Sequence, residues 1–221
     1  MLPESLLDLE ALEQAPLNRE PFQFVVVRDF LRPEALEAVT AAFPPIEGPG
    51  SFPLSRLRYG EAFARLVEEL QGPAFRQAVE RKFDLDLSGR PFMLTVRGWC
   101  RARDGQIHTD SRSKIVTALL YLNPRPWTAP GGRLRMLRSA EDLEDVIAEV
   151  PPEGGTLLMF RRSENSFHGH HPYEGPRRTL QMNWVTDRSV LDRELKRHGV
   201  SSWVKALNPF ARAAGRRGEG R

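Results

Sequence analysis

At 221 residues and 40% hydrophobic content, the chain suits one globular domain with a full-sized core, and no stretch approaches the roughly 20 apolar residues of a membrane span. A net charge of +3, from 32 basic and 29 acidic side chains, does not call for nucleic-acid binding. The single cysteine, Cys100, excludes an intrachain disulfide and agrees with a reducing, cytoplasmic setting.

Residues 1–15 are acidic, with Leu2, Leu6, Leu9 and Leu12 at helical spacing, and lack the basic start and apolar run of a secretory signal. Residues 22–27 (FQFVVV) are β-branched and aromatic, which predicts a strand. Pro33 opens a helix whose stripe of Leu36, Val39 and Phe43 stops at Pro44-Pro45. Two more helices follow, over 60–70 with Phe63, Leu66, Val67 and Leu70 on one face, and over 73–83 with Phe75, Val79 and Phe83. Their apolar stripes predict a supporting helical layer.

From Phe92 the period changes to that of strands. Residues 93–101 end near Asp104-Gly105, a turn dipeptide that would deliver His108 onto a further strand, where strand spacing puts His108 and Asp110 on one face. Residues 115–122 (IVTALLYL) predict an interior strand with Thr117, Leu119 and Tyr121 together, Tyr121 being the polar one. The Pro- and Gly-rich stretch 123–132 reads as a loop, and Ser139 as the cap of a helix over 139–150 with Leu143, Val146 and Ile147 on its apolar face. Residues 156–160 predict a strand, followed by a charged corner of Arg161, Arg162 and Glu164.

The stretch 166–184 gathers three imidazoles, His168, His170 and His171, and then alternates, with Arg178, Leu180, Met182 and Trp184 on one face and Thr179, Gln181 and Asn183 on the other. A guanidinium on an apolar face needs an anionic partner, and no carboxylate of the strand supplies one, so a ligand is the candidate. His108, Asp110 and one later histidine make two imidazoles and a carboxylate, a facial set that suits non-haem Fe(II) chemistry. Strand parity puts His168 and His170 on the same face and does not choose between them. Beyond 187, residues 191–198 read as a charged helix. The remainder, with Trp203, Val204, Leu207 and Phe210 among basic residues, reads as an amphipathic clamp with a basic tail, or as a weak membrane-surface contact.

In order, the chain holds His108-Thr-Asp110, Tyr121-Leu-Asn123, Gly131-Gly132-Arg133-Leu134, His168, and Arg178 ten residues later. Over roughly 93–185 this series resembles the 2-oxoglutarate- and Fe(II)-dependent oxygenases, in the prolyl 4-hydroxylase-like branch. The resemblance implies a mainly β fold with some α, in which a double-stranded β-helix (jelly-roll) core at about 92–187 is supported by N-terminal helices. It implies one domain over 1–187, with 188–221 as an appended helix and tail. His108, Asp110 and His168 would hold Fe(II), the family spacing to Arg178 favouring His168. Arg178 would pair with the far carboxylate of 2-oxoglutarate, and Tyr121 would donate to it. The implied reaction hydroxylates a substrate with release of succinate and CO2, with ascorbate as an accessory. The substrate is not readable: a prolyl residue, a sugar, a lipid headgroup and a small metabolite all fit. The rival readings are a non-catalytic jelly-roll binder and a cupin-like Zn(II) or Mn(II) enzyme without a cosubstrate.

Overall fold

The structure is a computed structural model that describes residues 2–192. Its helices are α1 (Leu9–Gln14), α2 (Pro33–Ala41), α3 (Glu61–Gln71) and α4 (Pro73–Phe83). Its strands are β1 (Phe24–Val27), β2 (Phe52–Pro53), β3 (Phe92–Cys100), β4 (Lys114–Tyr121), β5 (Leu134–Leu137), β6 (Val146–Val150), β7 (Leu157–Arg161), β8 (His168–Gly169) and β9 (Gly175–Val185). They form a six-stranded sheet in the order β1-β7-β4-β9-β3-β2 and a three-stranded sheet in the order β6-β5-β8. Residues 188–192 are helical; most of the charged helix read over 191–198, and the whole basic tail, lie outside the described residues.

The first helix is shorter than the leucine spacing predicts. The backbone N–H groups of Leu6 and Leu7 donate to the Glu69 carboxylate, and Leu7 bridges Leu31, so this stretch is extended. The helix starts only where Asp8 caps the N–H of Ala11.

β9 lies between β4 and β3, so both of its edges are paired and only its two faces are left to meet other layers. One face carries Leu180, Met182 and Trp184, which join Val116, Ala118 and Leu120 of β4 and Phe63, Leu66, Leu70, Phe75 and Val79 of α3 and α4 in a single core. Trp184 sits 5.8 Å from Phe75 and 4.8 Å from Phe92, ring centre to ring centre. Each such side chain contributes roughly 1.5–3 kcal/mol by leaving water, enough to fix which face of the sheet meets the helices. The opposite face, with Thr95, Thr117, Thr179 and Asn183 buried, looks toward the smaller sheet. A second core of Phe22, Phe24, Tyr121, Leu134, Met136 and Phe160 fills part of the space between the two sheets.

Two further segments depart from the sequence reading. Residues 139–150 do not form a helix. Asp142 caps the N–H of Glu144 in a turn, and Val146–Val150 then pairs with β5 as β6. The acids that resemble a helical first turn instead serve basic residues of and beside β5: Glu144 and Glu149 pair with Arg135, and Asp145 with Arg138. Nor is 106–110 a continuous strand. Asp104 folds the chain back by accepting from the N–H of Arg101, Gly105 has φ +90°, and His108 makes a single two-way bridge to His168.

Candidate functional site

Between the two sheets lies a cavity of about 130 Å³, lined by β3, β4, β7 and β9 on one side and by β5, β8 and the 104–110 segment on the other. At one end the ligand atoms of His108, Asp110 and His168 all lie within 4.8 Å of one another. The bridge that brings the imidazoles together is reciprocal, His108 N to His168 O at 3.1 Å and His168 N to His108 O at 3.0 Å, and leaves the rings 4.4 Å apart. His108 Nδ1 lies 2.8 Å from Gln106 O and His168 Nδ1 lies 3.0 Å from Ser166 O. A carbonyl oxygen only accepts, so each Nδ1 carries the proton and each Nε2 keeps its lone pair for a metal.

Both oxygens of the Asp110 carboxylate are engaged. Lys114 Nζ is 2.7 Å from Oδ1, and the Thr117 hydroxyl donates to Oδ2. That hydroxyl accepts in turn from Asn183 Nδ2 at 2.8 Å, which points its proton at Asp110. Arg162, from the charged corner, donates to the Asp110 backbone oxygen at 3.1 Å. Burial alone pushes the Asp110 pKa up; the charges of Lys114 and His168 and the two hydrogen bonds outweigh it, and the net shift is downward. The sequence reading missed Thr117 and Asn183, although both belong to polar positions that alternate with apolar ones.

Groups that orient a metal ligand typically contribute about 10- to 100-fold in metal affinity. Thr117→Val and Asn183→Leu are therefore each expected to weaken Co(II) binding by that order, while Thr117→Ser stays near the parent. Equal Co(II) titrations for all four proteins would show that Asp110 is held without them.

Of the three neighbouring imidazoles, only His168 joins His108 and Asp110. His170 is buried with its Nε2 3.9 Å from Cys100 Sγ and its Nδ1 2.8 Å from His171 O. His171 points outward, 2.7 Å from Glu144 Oε1. Burial lowers the pKa of both His168 and His170 to about 4, with Arg177 adding to the effect at His170. Both are neutral at pH 7 when folded, whereas in the unfolded chain they take up a proton near pH 6.5. The stability they contribute is complete above about pH 6.5 and is lost as pH falls toward 4, at up to about 1.4 kcal/mol per pH unit for each. Urea midpoints of the metal-free protein should fall across that window and fall less steeply for His170→Asn; parallel curves would contradict the assignment to His170.

Arg178 is not at the cavity. It continues the apolar face of β9 past the end of the helical cover, where its Cζ stands 5.3 Å over the Phe43 ring in an open groove beside Pro44 and Asn123. Arg177, on the other face, lines the cavity. Its Cζ is 5.2 Å over the Tyr121 ring, its Nε donates to Gly132 O at 2.9 Å, and its Nη2 is buried without a hydrogen-bond partner among the described residues. Among the described residues the Tyr121 hydroxyl and Thr179 Oγ1 are likewise buried without a hydrogen-bond partner, and Arg177 beside Tyr121 partly offsets the rise that burial imposes on its pKa. Tyr121 and Thr179 are register partners on β4 and β9, and with Arg177 Nη2 they form a group of donors without acceptors among the described residues. The apolar face of β9 meets the helices, so the face that meets a polar ligand is the polar one.

Two imidazoles and a carboxylate converging beside a cavity between two sheets make a candidate divalent-metal centre. Residues 99–186 match the model of the 2OG-Fe(II) oxygenase superfamily. In fold it is similar to a prolyl-4-hydroxylase from Pseudomonas putida, with a TM-score of 0.54 at 18% identity over 85% of this chain and 99% of that one. It is also similar to a prolyl 4-hydroxylase from Phytophthora capsici, with a TM-score of 0.51 at 17% identity over 81% of this chain and 63% of that one. No curated protein matches the chain.

Proposed function

We propose that this chain is an Fe(II)- and 2-oxoglutarate-dependent hydroxylase. Its two sheets are the halves of a double-stranded β-helix, and residues 1–187 form one oxygenase domain. His108, Asp110 and His168 hold the metal. The chemistry of the donor set fits Fe(II): two neutral imidazoles and one carboxylate supply one face and leave the others for exchangeable ligands. When bound, Fe(II) would supply the oxidative decarboxylation of 2-oxoglutarate by O2, one oxygen atom going to succinate as CO2 leaves and the other to a hydroxyl group on the substrate.

The observation that carries the reading is the pairing of that trio with the unpartnered donors of Arg177, Tyr121 and Thr179 in the same cavity. A buried guanidinium nitrogen and two buried hydroxyls without acceptors are costly, and a carboxylate satisfies all three. Arg177 anchors the far carboxylate of 2-oxoglutarate, while Tyr121 and Thr179 donate to it. Leu119, Leu134 and Phe160 line the same cavity and keep water from it. A cupin-like metalloenzyme without a dicarboxylate cosubstrate has no use for such an anchor.

The test is succinate release from 2-oxoglutarate. His168→Ala should eliminate it, whereas His170→Ala and His171→Ala should retain measurable turnover. Turnover surviving in His168→Ala but lost in His170→Ala would move the metal to the other imidazole and undo the assignment.

A further inference from the structure

The cavity holds a second arginine that neither the metal nor the cosubstrate anchor uses. Arg97 lies on β3 opposite Thr179 of β9 and lines the cavity, with 31% of its side chain exposed. Its guanidinium makes one hydrogen bond among the described residues, from Nη2 to Asp104 Oδ2 at 3.2 Å. Asp104 is already committed elsewhere: it accepts from Arg101 Nε at 3.0 Å, Arg101 Nη2 at 2.7 Å and the Arg101 backbone N–H at 3.0 Å. Four of the five N–H groups that a guanidinium offers are therefore left on Arg97. The acidic side chains lining the cavity are Asp104 and Asp110, against Arg97 and Arg177. With Asp110 on the metal, Arg177 on the cosubstrate and Asp104 shared between Arg97 and Arg101, Arg97 keeps most of its donors for a further anion.

Building on the oxygenase reading above, we propose that Arg97 receives a carboxylate of the primary substrate, so that this enzyme acts on an anionic molecule or residue and not on an uncharged prolyl peptide. Burial, with Arg177 nearby, lowers the pKa of Arg97 despite Asp104, as suits a guanidinium that a second anion would stabilise. A planar guanidinium with free N–H groups meets a carboxylate through paired hydrogen bonds. Because Asp104 competes for Arg97, the site has opposite sensitivities to its two members: loss of Arg97 removes the anion, and loss of the Asp104 charge frees Arg97 for it. A strut that only ties the 101–105 turn to β3 gives no such opposition, since either change breaks the same pair.

The full chain is loaded with Zn(II) and saturating 2-oxoglutarate, and melting temperature and calorimetric binding are recorded against three sets of probes: the free L-amino acids, their C-terminal amides, and N-acetylated, C-amidated dipeptides containing Asp or Glu. At least one acid is expected to stabilise the protein, with its neutral counterpart bound on the order of 10- to 100-fold more weakly. Arg97→Met should lose that binding by a similar factor while keeping 2-oxoglutarate within a few-fold, and Asp104→Asn should retain or tighten it. Arg97→Gln, which keeps a neutral polar side chain at this position, replaces Arg97→Met if the latter unfolds. Stabilisation by free acids assigns the carboxylate to a small molecule; stabilisation by the blocked acidic dipeptides alone assigns it to a protein side chain. The proposal is overturned if no acid in either set binds, if amides bind equally, if Arg97→Met keeps the acid, or if Arg97→Met loses 2-oxoglutarate instead. A parent protein that takes up neither Zn(II) nor 2-oxoglutarate overturns the oxygenase reading and this inference with it.

Discussion

Replacing His108 or Asp110 by alanine is expected to abolish Fe(II) binding under anaerobic conditions, with the parent taking up one equivalent. The three ligand atoms converge within 4.8 Å, and removal of one leaves a two-ligand site that loses affinity and the facial arrangement together. The loss should be larger for these ligands than for Thr117→Val or Asn183→Leu, which only aim the Asp110 carboxylate. Asp110→Ala has a further consequence, because it leaves the ammonium of Lys114, whose side chain is 14% exposed, without its carboxylate beside an incoming dication. Full iron stoichiometry in either alanine variant would show that the metal sits elsewhere.

The second large effect separates two adjacent arginines. Arg177→Met should weaken 2-oxoglutarate binding by about 30- to 5,000-fold, the equivalent of roughly 2–5 kcal/mol for removing one partner of a buried charge pair. Arg178→Met should change it by no more than a few-fold, since that side chain lies over Phe43 on the far side of the sheet. Both variants should keep the metal. Titrating succinate release against 2-oxoglutarate reads the difference directly, and a loss confined to Arg178→Met would mean that the face assignment of β9 is inverted.

The pair also shows what the sequence did and did not make legible. The alternation along 178–184 is a true strand period, and the tension of a charge on an apolar stripe is real. What the period lacks is the identity of the layer on each side. A strand with one apolar and one polar face reads as core-facing and solvent-facing, but β9 lies mid-sheet, with helices against Leu180, Met182 and Trp184 and the cavity against Arg177, Thr179 and Gln181. Thr179 and Asn183 were visible as polar residues, and their burial, at 2% and 0% exposure, was not.

The helices over 61–71 and 73–83 were readable because their apolar stripes repeat for three turns, long enough for the period to be distinctive. Residues 139–150 were not, because a short acidic stretch followed by Val146 and Ile147 fits a capped helix and a turn plus strand equally well. Pairing with β5 and the ion pairs of Arg135 decide it, and neither is local. His108 and Asp110 were legible as a candidate pair, although 106–110 is not the strand on which that pairing was read, while His168 needed either the resemblance to a family or the bridge that seats it against His108.

The most direct measurement of the central claim is an anaerobic titration of 2-oxoglutarate into the Fe(II)-loaded parent, followed by its visible charge-transfer absorption. The weak band of a chelated ferrous centre should grow to saturation at one cosubstrate per iron, be absent in His168→Ala, and shift its midpoint to much higher 2-oxoglutarate in Arg177→Met. A parent that binds iron but shows no band at any 2-oxoglutarate concentration, or an Arg177→Met curve that overlays the parent, would contradict the account.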